Sequence, residues 1–375
     1  MSAIRRSSTL DVPSRRWRAR RLGVLGVIAA TAVVALTGAG PAGATGHPGT
    51  SAFTQRNLVS DIPGVARITD PNLVNPWGLS AGPATPLWVA DNGTDVSTLY
   101  SGGVRGSIPM IAPLVVGIPG GAPTGTVYNP TTGFAVGGAA ARFIFDSEAG
   151  QITAWHPGLG TQAQTVAATP HAIYKGLALA ATPKGAWLYA ADFHGGKIDV
   201  FDDRFGPVHL KPGAFADHAL PAGFAPFNVQ ELGGSIYVTY AKQDADAKDE
   251  VPGAGLGYVD VFDPSGHLLR RLISGGALNA PWGLAIAPAG FGGLDGALLV
   301  GNFGDGAINA YDVGTGASRG ALTNEDGNPI RIDGLWALRF GNGVFGTPRS
   351  LVFTAGIADE AHGLLGTIVP AGSGE

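Results

Sequence analysis

Asn75-Pro76-Trp77-Gly78-Leu79, followed by Leu87-Trp88-Val89-Ala90-Asp91-Asn92-Gly93, is the phrase on which the fold turns. An apolar run ends in Gly-Leu, and a β-rich run ends in an acid and a turn. Val96 to Tyr100 is a third apolar run. The order returns as Lys175-Gly176-Leu177, Trp187-Leu188-Tyr189-Ala190-Ala191-Asp192 and Lys197-Ile198-Asp199-Val200-Phe201-Asp202. It returns again as Ala280-Pro281-Trp282-Gly283-Leu284, Leu298-Leu299-Val300-Gly301-Asn302 and Ala307-Ile308-Asn309-Ala310-Tyr311-Asp312. A further copy runs from Gly334-Leu335-Trp336 to Leu351-Val352-Phe353-Thr354. Weaker copies hold Phe143-Ile144-Phe145-Asp146 with Ile152-Thr153-Ala154-Trp155, and Ser235-Ile236-Tyr237-Val238 with Tyr258-Val259-Asp260-Val261-Phe262-Asp263.

Spacing fixes the blade count. Gly78 to Gly176 spans 98 residues, Gly176 to Gly283 spans 107, and Gly283 to Gly334 spans 51. Those intervals hold two, two and one repeats, and periods near 50 residues mark radial or stacked arrays. Strand-like phrases with turn chemistry between them, and no helical periodicity, select a propeller. The reading is an all-β, six-bladed β-propeller over residues 55–370, with a tail at 371–375. Blade six has room for three strands: Leu335 to Phe340, Leu351 to Ala355 and Leu364 to Val369. Thr54 to Ile62 belongs to no blade and is expected to supply the fourth, closing the ring and hiding a sheet edge.

Residues 1–44 read as a secretory signal peptide. Arg5, Arg6, Arg15, Arg16, Arg18, Arg20 and Arg21 form a basic leader, Leu22 to Leu36 an apolar run, and Ala42-Gly43-Ala44 a small-residue cleavage site. The run is short for a bilayer span, so the membrane is met only through this segment before cleavage. Ser14-Arg15-Arg16-Trp17 resembles the start of a twin-arginine signal, although Arg18 stands where such a signal turns apolar. Residues 45–54 are expected to be a flexible lead-in. The location predicted is extracytoplasmic, secreted or wall-associated, and the state a monomer.

Removing seven arginines and one aspartate from 24 basic and 28 acidic residues leaves a net charge of −10. Such a surface repels phosphate backbones and speaks against nucleic acid. The chain has no cysteine, which excludes disulfides and thiolate chemistry.

The Gly-Leu, Val-Ala-Asp and Ile198-Asp199-Val200-Phe201-Asp202 order resembles NHL-type and lactonase-like six-bladed propellers. As a whole, residues 55–370 are similar to a family of uncharacterised exported bacterial propellers. The resemblance implies fold more than activity, since propellers host binding modules and enzymes alike.

In a propeller the loop entering the first strand of a blade and the loop leaving the second share one face. This gathers Asn75, Asp91, Asn92, Asp146, Asp192, His194, Asn228, Lys242, Asn279, Asn302, Asp305, Asp359, Glu360 and His362 around the central channel. A ring of carboxylates and amides would suit calcium, which takes six to eight oxygen ligands. Lactonase-like propellers hold such a cation with one or two acids and two asparagines. Their first metal-binding glutamate has no counterpart here, where the chain start offers only Asp61 and Asp70. The competing reading is that Asp, Asn and Gly stand there because turns require them.

Other matches carry less. The acidic stretch Asp244 to Glu250 lacks the glycine and terminal glutamate of a calcium loop and reads as a solvated insertion. Gly78-Leu79-Ser80-Ala81-Gly82 and Gly341-Asn342-Gly343-Val344-Phe345-Gly346 fit nucleophile-elbow and dinucleotide patterns without the strand–turn–helix surroundings those need. Trp77, Trp88, Trp155, Trp187, Trp282 and Trp336 read as core anchors, with Trp155 expected to be the most exposed. Two functions follow: a binding scaffold for an extracellular protein, glycan or wall polymer at the channel face, or a calcium-dependent hydrolase or lyase acting there.

Overall fold

A computed structural model describes residues 52–374. The leader and its cleavage site lie outside the described residues. Six blades stand around one axis, antiparallel throughout except for Ile68–Thr69, which runs parallel to Phe53–Ser60 at the outer edge of the last blade. Blade one is Pro76–Ser80, Leu87–Asp91, Val96–Ser101 and a short edge at Met110–Ile111. Blade two is Pro123–Tyr128, Phe143–Ser147, Gln151–Trp155 and Gln164–Ala168. Blade four, weak in sequence, is complete, with Phe224–Leu232, Ser235–Lys242, Tyr258–Phe262 and Leu268–Ser274. Blade five is Pro281–Ile286, Leu298–Asn302, Ile308–Tyr311 and Ser318–Ala321.

Blade three departs from the four-strand rule. It holds Tyr174–Thr182, Gly185–Asp192 and Lys197–Phe201 only. The segment that would form its edge contains Pro207 and Pro212, which cannot donate to a ladder. A single bridge between Phe201 and Pro207 and the bond from Val208 N to Val200 O (2.8 Å) are what remain of the pairing.

The ring closes as the unassigned N-terminal segment implies. Phe53–Ser60 lies antiparallel to Leu364–Pro370, from Phe53 opposite Pro370 to Ser60 opposite Leu364. It becomes the fourth strand of blade six, outside Leu335–Phe340 and Leu351–Ala355. The strand starts at Phe53, two residues ahead of the boundary at 55 read from the sequence. Asp61 fixes its end, accepting from Gly363 N (2.8 Å) and pairing with His362 Nδ1 (2.6 Å).

The near-continuous apolar phrases follow from burial on both faces. Side chains alternate across a strand, so Leu87 and Val89 pack towards blade six with Val352 and Leu365, while Trp88 and Ala90 pack towards blade two with Phe143 and Phe145. The same division recurs at the other blade interfaces. Trp155, expected at the surface, is 5% exposed. It tilts against Trp88 at 4.7 Å and donates Nε1–H to Gly160 O. The six named tryptophans are all buried.

Gly78 and Gly283, each in a Trp-Gly-Leu phrase, mark close approach between blades. A Cβ on Gly78 would stand 2.5 Å from Thr124 O of blade two, and one on Gly283 2.5 Å from Trp336 O of blade six. Real Cβ atoms do not come so near, so backbones of adjacent blades meet there only because the side chain is missing.

Candidate functional site: a lysine-centred acidic mouth above an aromatic plug

Each first strand carries a β-bulge near its start, and bulges re-aim side chains. The residues there are Trp77, Thr124, Lys175, Phe227, Trp282 and Trp336, one per blade. Trp77 stacks on Trp336 at 3.6 Å, and Trp282 meets both edge-on at 6.3 and 5.8 Å. Phe227 leans on Trp336 at 5.8 Å. The rings fill the axis and form one apolar cluster. Backbone and side-chain bonds lock the plug: Trp282 Nε1 donates to Lys175 O (2.8 Å), and Trp336 Nε1 to Asn75 Oδ1 (3.1 Å).

Lys175 is the one cation in this ring. Its side chain is 2% exposed, and Nζ donates to Glu148 Oε1 and Asp249 Oδ1, each at 3.1 Å. The ammonium also lies 5.1 Å from the Trp77 ring centre and 5.8 Å from that of Phe193, within cation–π range. Burial alone would lower its pKa, but Glu148, Glu250 and Asp249 outweigh that and hold it above the usual lysine value. The amine is therefore protonated and no nucleophile.

Negative charge exceeds positive around it. Burial raises the Glu250 carboxyl to about 7; Lys175 opposes the rise, and repulsion from Glu360 and Asp249 adds to it. Burial likewise raises Glu360 to about 6, opposed by Lys175 and by a hydrogen bond from Asn75. Glu360 ends a run, Ala358-Asp359-Glu360, in which all three residues have left-handed backbone, at φ of 57°, 54° and 63°. Such a run costs about 1–2 kcal/mol per residue, and strain of this kind gathers at functional positions.

Of the residues expected at the channel face, the structure brings Asn75, Asn92 and Glu360 to this mouth. Asn75 Nδ2 donates to Asn92 Oδ1 and Asn92 Nδ2 to Glu148 Oε2, both at 3.3 Å. His194 is exposed at the rim, its Nδ1 3.2 Å from Ala247 O. Lys242 and Asp359 are exposed, and His362 is engaged by Asp61.

The others are engaged by backbone and side chains of their own or a neighbouring blade. Asp91 Oδ2 accepts from Thr98 N and Oγ1, Asp146 Oδ1 from Thr124 Oγ1 and Gly125 N, and Asp192 Oδ1 from Ile173 N and Gly195 N. Asn228 Nδ2 donates to Trp282 O, and Asn279 Oδ1 accepts from Gly253 N. Asn302 Nδ2 donates to Ala277 O and to Asp305 Oδ1.

The acidic insertion is only partly solvated, contrary to its sequence reading. Asp244 and Asp246 stay at its outer turn, while Asp249 and Glu250 fold back over Lys175. Lys175 itself was detectable as the lysine standing where two other repeats have tryptophan before glycine. Among the described residues no three acidic or imidazole side chains come together as metal ligands, and the converging carboxylates surround an ammonium instead.

No protein-family profile matches the chain. Over 326 residues it is 33% identical to the uncharacterised protein R648 of Acanthamoeba polyphaga mimivirus, covering 83% of this chain and 78% of that one. Over 329 residues it is 32% identical to the uncharacterised protein L690 of the same virus, covering 83% and 84%. A structural genomics protein of unknown function from Bacteroides thetaiotaomicron superposes with a TM-score of 0.51 at 11% identity, over 85% of this chain and 73% of that one. At that identity the likeness is one of fold.

Proposed function

We propose, for a chain that belongs to the same family as the mimivirus proteins R648 and L690, that the propeller is an exported binding scaffold. Its acidic channel mouth receives a protonated amine carried by an extracellular protein or glycan. The observation that carries this reading is the convergence of Glu148, Asp249, Glu250 and Glu360, from three blades, on the single buried ammonium of Lys175. One lysine neutralises one of four carboxylates. A second cation arriving from solvent would favour the charged forms of Glu250 and Glu360, which burial chiefly, and repulsion secondarily, now disfavours. The leader at 1–44 supports export, and the Ile-x-Val-Phe-Asp phrases support an NHL-type origin for the repeat.

The test is titration of the mature chain with glucosamine oligomers, with their N-acetylated counterparts, and with a lysine-rich peptide. The lysine-rich peptide, whose amines stay protonated, should bind at pH 8, and the less basic glucosamine amines near pH 7; both should bind more weakly in high salt and at pH 5, where Glu250 and Glu360 are protonated. Equal binding of the acetylated oligomers, or no binding of either amine, would refute the assignment.

A further inference from the structure

Below the plug the channel opens towards the opposite face. The first strands continue past the plug, and their later residues from five blades, with Trp282 of blade five, line a cavity of about 360 Å³. Much of the wall is apolar, with Leu79, Val127, Leu179 and Leu338. One cation stands in it. Arg339, on the first strand of blade six, lines both this cavity and a neighbouring cleft under blades four and five.

Its guanidinium is underused. Among the described residues its one hydrogen bond runs from Nη2 to Ala81 O at 3.2 Å, while Nε is buried without a partner. No carboxylate lies within ion-pair distance among the described residues. Glu231 shares the cavity, but its Oε1 is engaged by Gly234 N. Burial, unopposed by any counter-charge, pulls Arg339 down to about 10. Thr126, on the same wall, also has a buried hydroxyl without a partner. Buried charges are ordinarily paired, and a lone one is costly.

We infer that this lower cavity is a binding site for a small monocarboxylate with an apolar body, its carboxylate held by Arg339. The guanidinium fork matches a carboxylate. The leucine- and valine-lined wall takes a short hydrocarbon, and the volume falls in the range of small-molecule sites. A dianion such as phosphate is disfavoured, because one guanidinium cannot neutralise it and Glu231 repels it. The site is separate from the acidic mouth, with the aromatic plug between them.

Calorimetry of the mature chain with hexanoate, hexanol and inorganic phosphate tests the assignment. Hexanoate should bind saturably, and hexanol and phosphate should not. Arg339→Gln should weaken hexanoate by about 10- to 100-fold, the range for a charge-assisted hydrogen bond. Should that variant fail to fold, Arg339→Lys keeps the charge, loses the fork, and should also bind more weakly. Glu250→Gln, at the other end of the channel, should leave hexanoate affinity unchanged. No hexanoate binding, equal binding of hexanol, tighter binding of phosphate, or full affinity in the folded Arg339 variant overturns the inference.

Discussion

The ammonium of Lys175 lies 5.1 Å from the centre of the Trp77 ring, so the only charge in the axial plug rests on the aromatic stack that fills it. Above, the same nitrogen holds Glu148 and Asp249. Lys175→Met keeps the volume and removes the charge, leaving four carboxylates without a cation. Breaking a buried pair from one side costs about 3–5 kcal/mol, less here because Asp249 is half exposed and solvated. The loss, measured by denaturant unfolding, should be larger at pH 8 than at pH 5, where Glu250 and Glu360 take up protons. An equal loss at both values would mean that the lysine acts through packing alone.

Glu250 sets a pH dependence with a definite sign. Its carboxyl titrates near 7 in the folded chain against 4.5 ordinarily, so the native state holds this proton more tightly than the unfolded one. The stability it contributes is present below pH 4.5 and is lost as pH rises through 7. Glu250→Gln should therefore gain on the wild type between those limits, and the difference between the two unfolding curves should grow with pH. A constant difference would contradict the raised carboxyl.

The blade contacts at the axis predict the result of a single added methyl. Gly78→Ala places a Cβ 2.5 Å from Thr124 O and 2.9 Å from Thr126 N. Those are backbone atoms of blade two and cannot rotate away. Overpacking of this kind costs about 1–3 kcal/mol, read as a fall in the denaturant midpoint. A change within about 0.5 kcal/mol, the usual range for a surface substitution, would show that the blades can part at no cost.

Closure can be tested by deleting residues 45–62. This removes the partner of Leu364–Pro370, together with the Asp61–His362 contact and the bond from Ser60 Oγ to Gly363 O. Blade six would keep three strands and expose an edge. Aggregation or a melting temperature far below that of the undeleted chain is expected. Melting within a degree or two of the intact chain would exclude the strand as the closing device.

The fold was legible because each blade is buried on both faces. Leu87 to Asp91 and Leu298 to Asn302 read as solid apolar runs, and Gly78 and Gly283 recur because backbone meets backbone there. Blade three's short edge was less so, since Pro207 and Pro212 break a pairing that the repeat alone implies. The site was harder to read. Asp91, Asp192 and Asn302 have the residue types of a metal ring, yet turns and strand ends need the same types, and Asp91 Oδ2, Asp192 Oδ1 and Asn302 Nδ2 are engaged within their own blades. What assembles the mouth is a contact between Lys175 and Asp249, 74 residues apart. No local spacing encodes it. The departure that betrays it is one lysine before glycine where two other repeats have Trp77 and Trp282.

The strand at Phe53–Ser60 also orders events in time. It is among the first pieces of the propeller to be synthesised, and its partner, Leu364–Pro370, is the last. Every nascent chain shorter than that carries an unsatisfied edge at each end of an open ring, and such edges recruit other chains. Premature stops should therefore act as a switch. A chain ending before Leu364 would go to degradation or aggregates almost regardless of how many blades it contains, whereas one ending after Pro370 would close the ring.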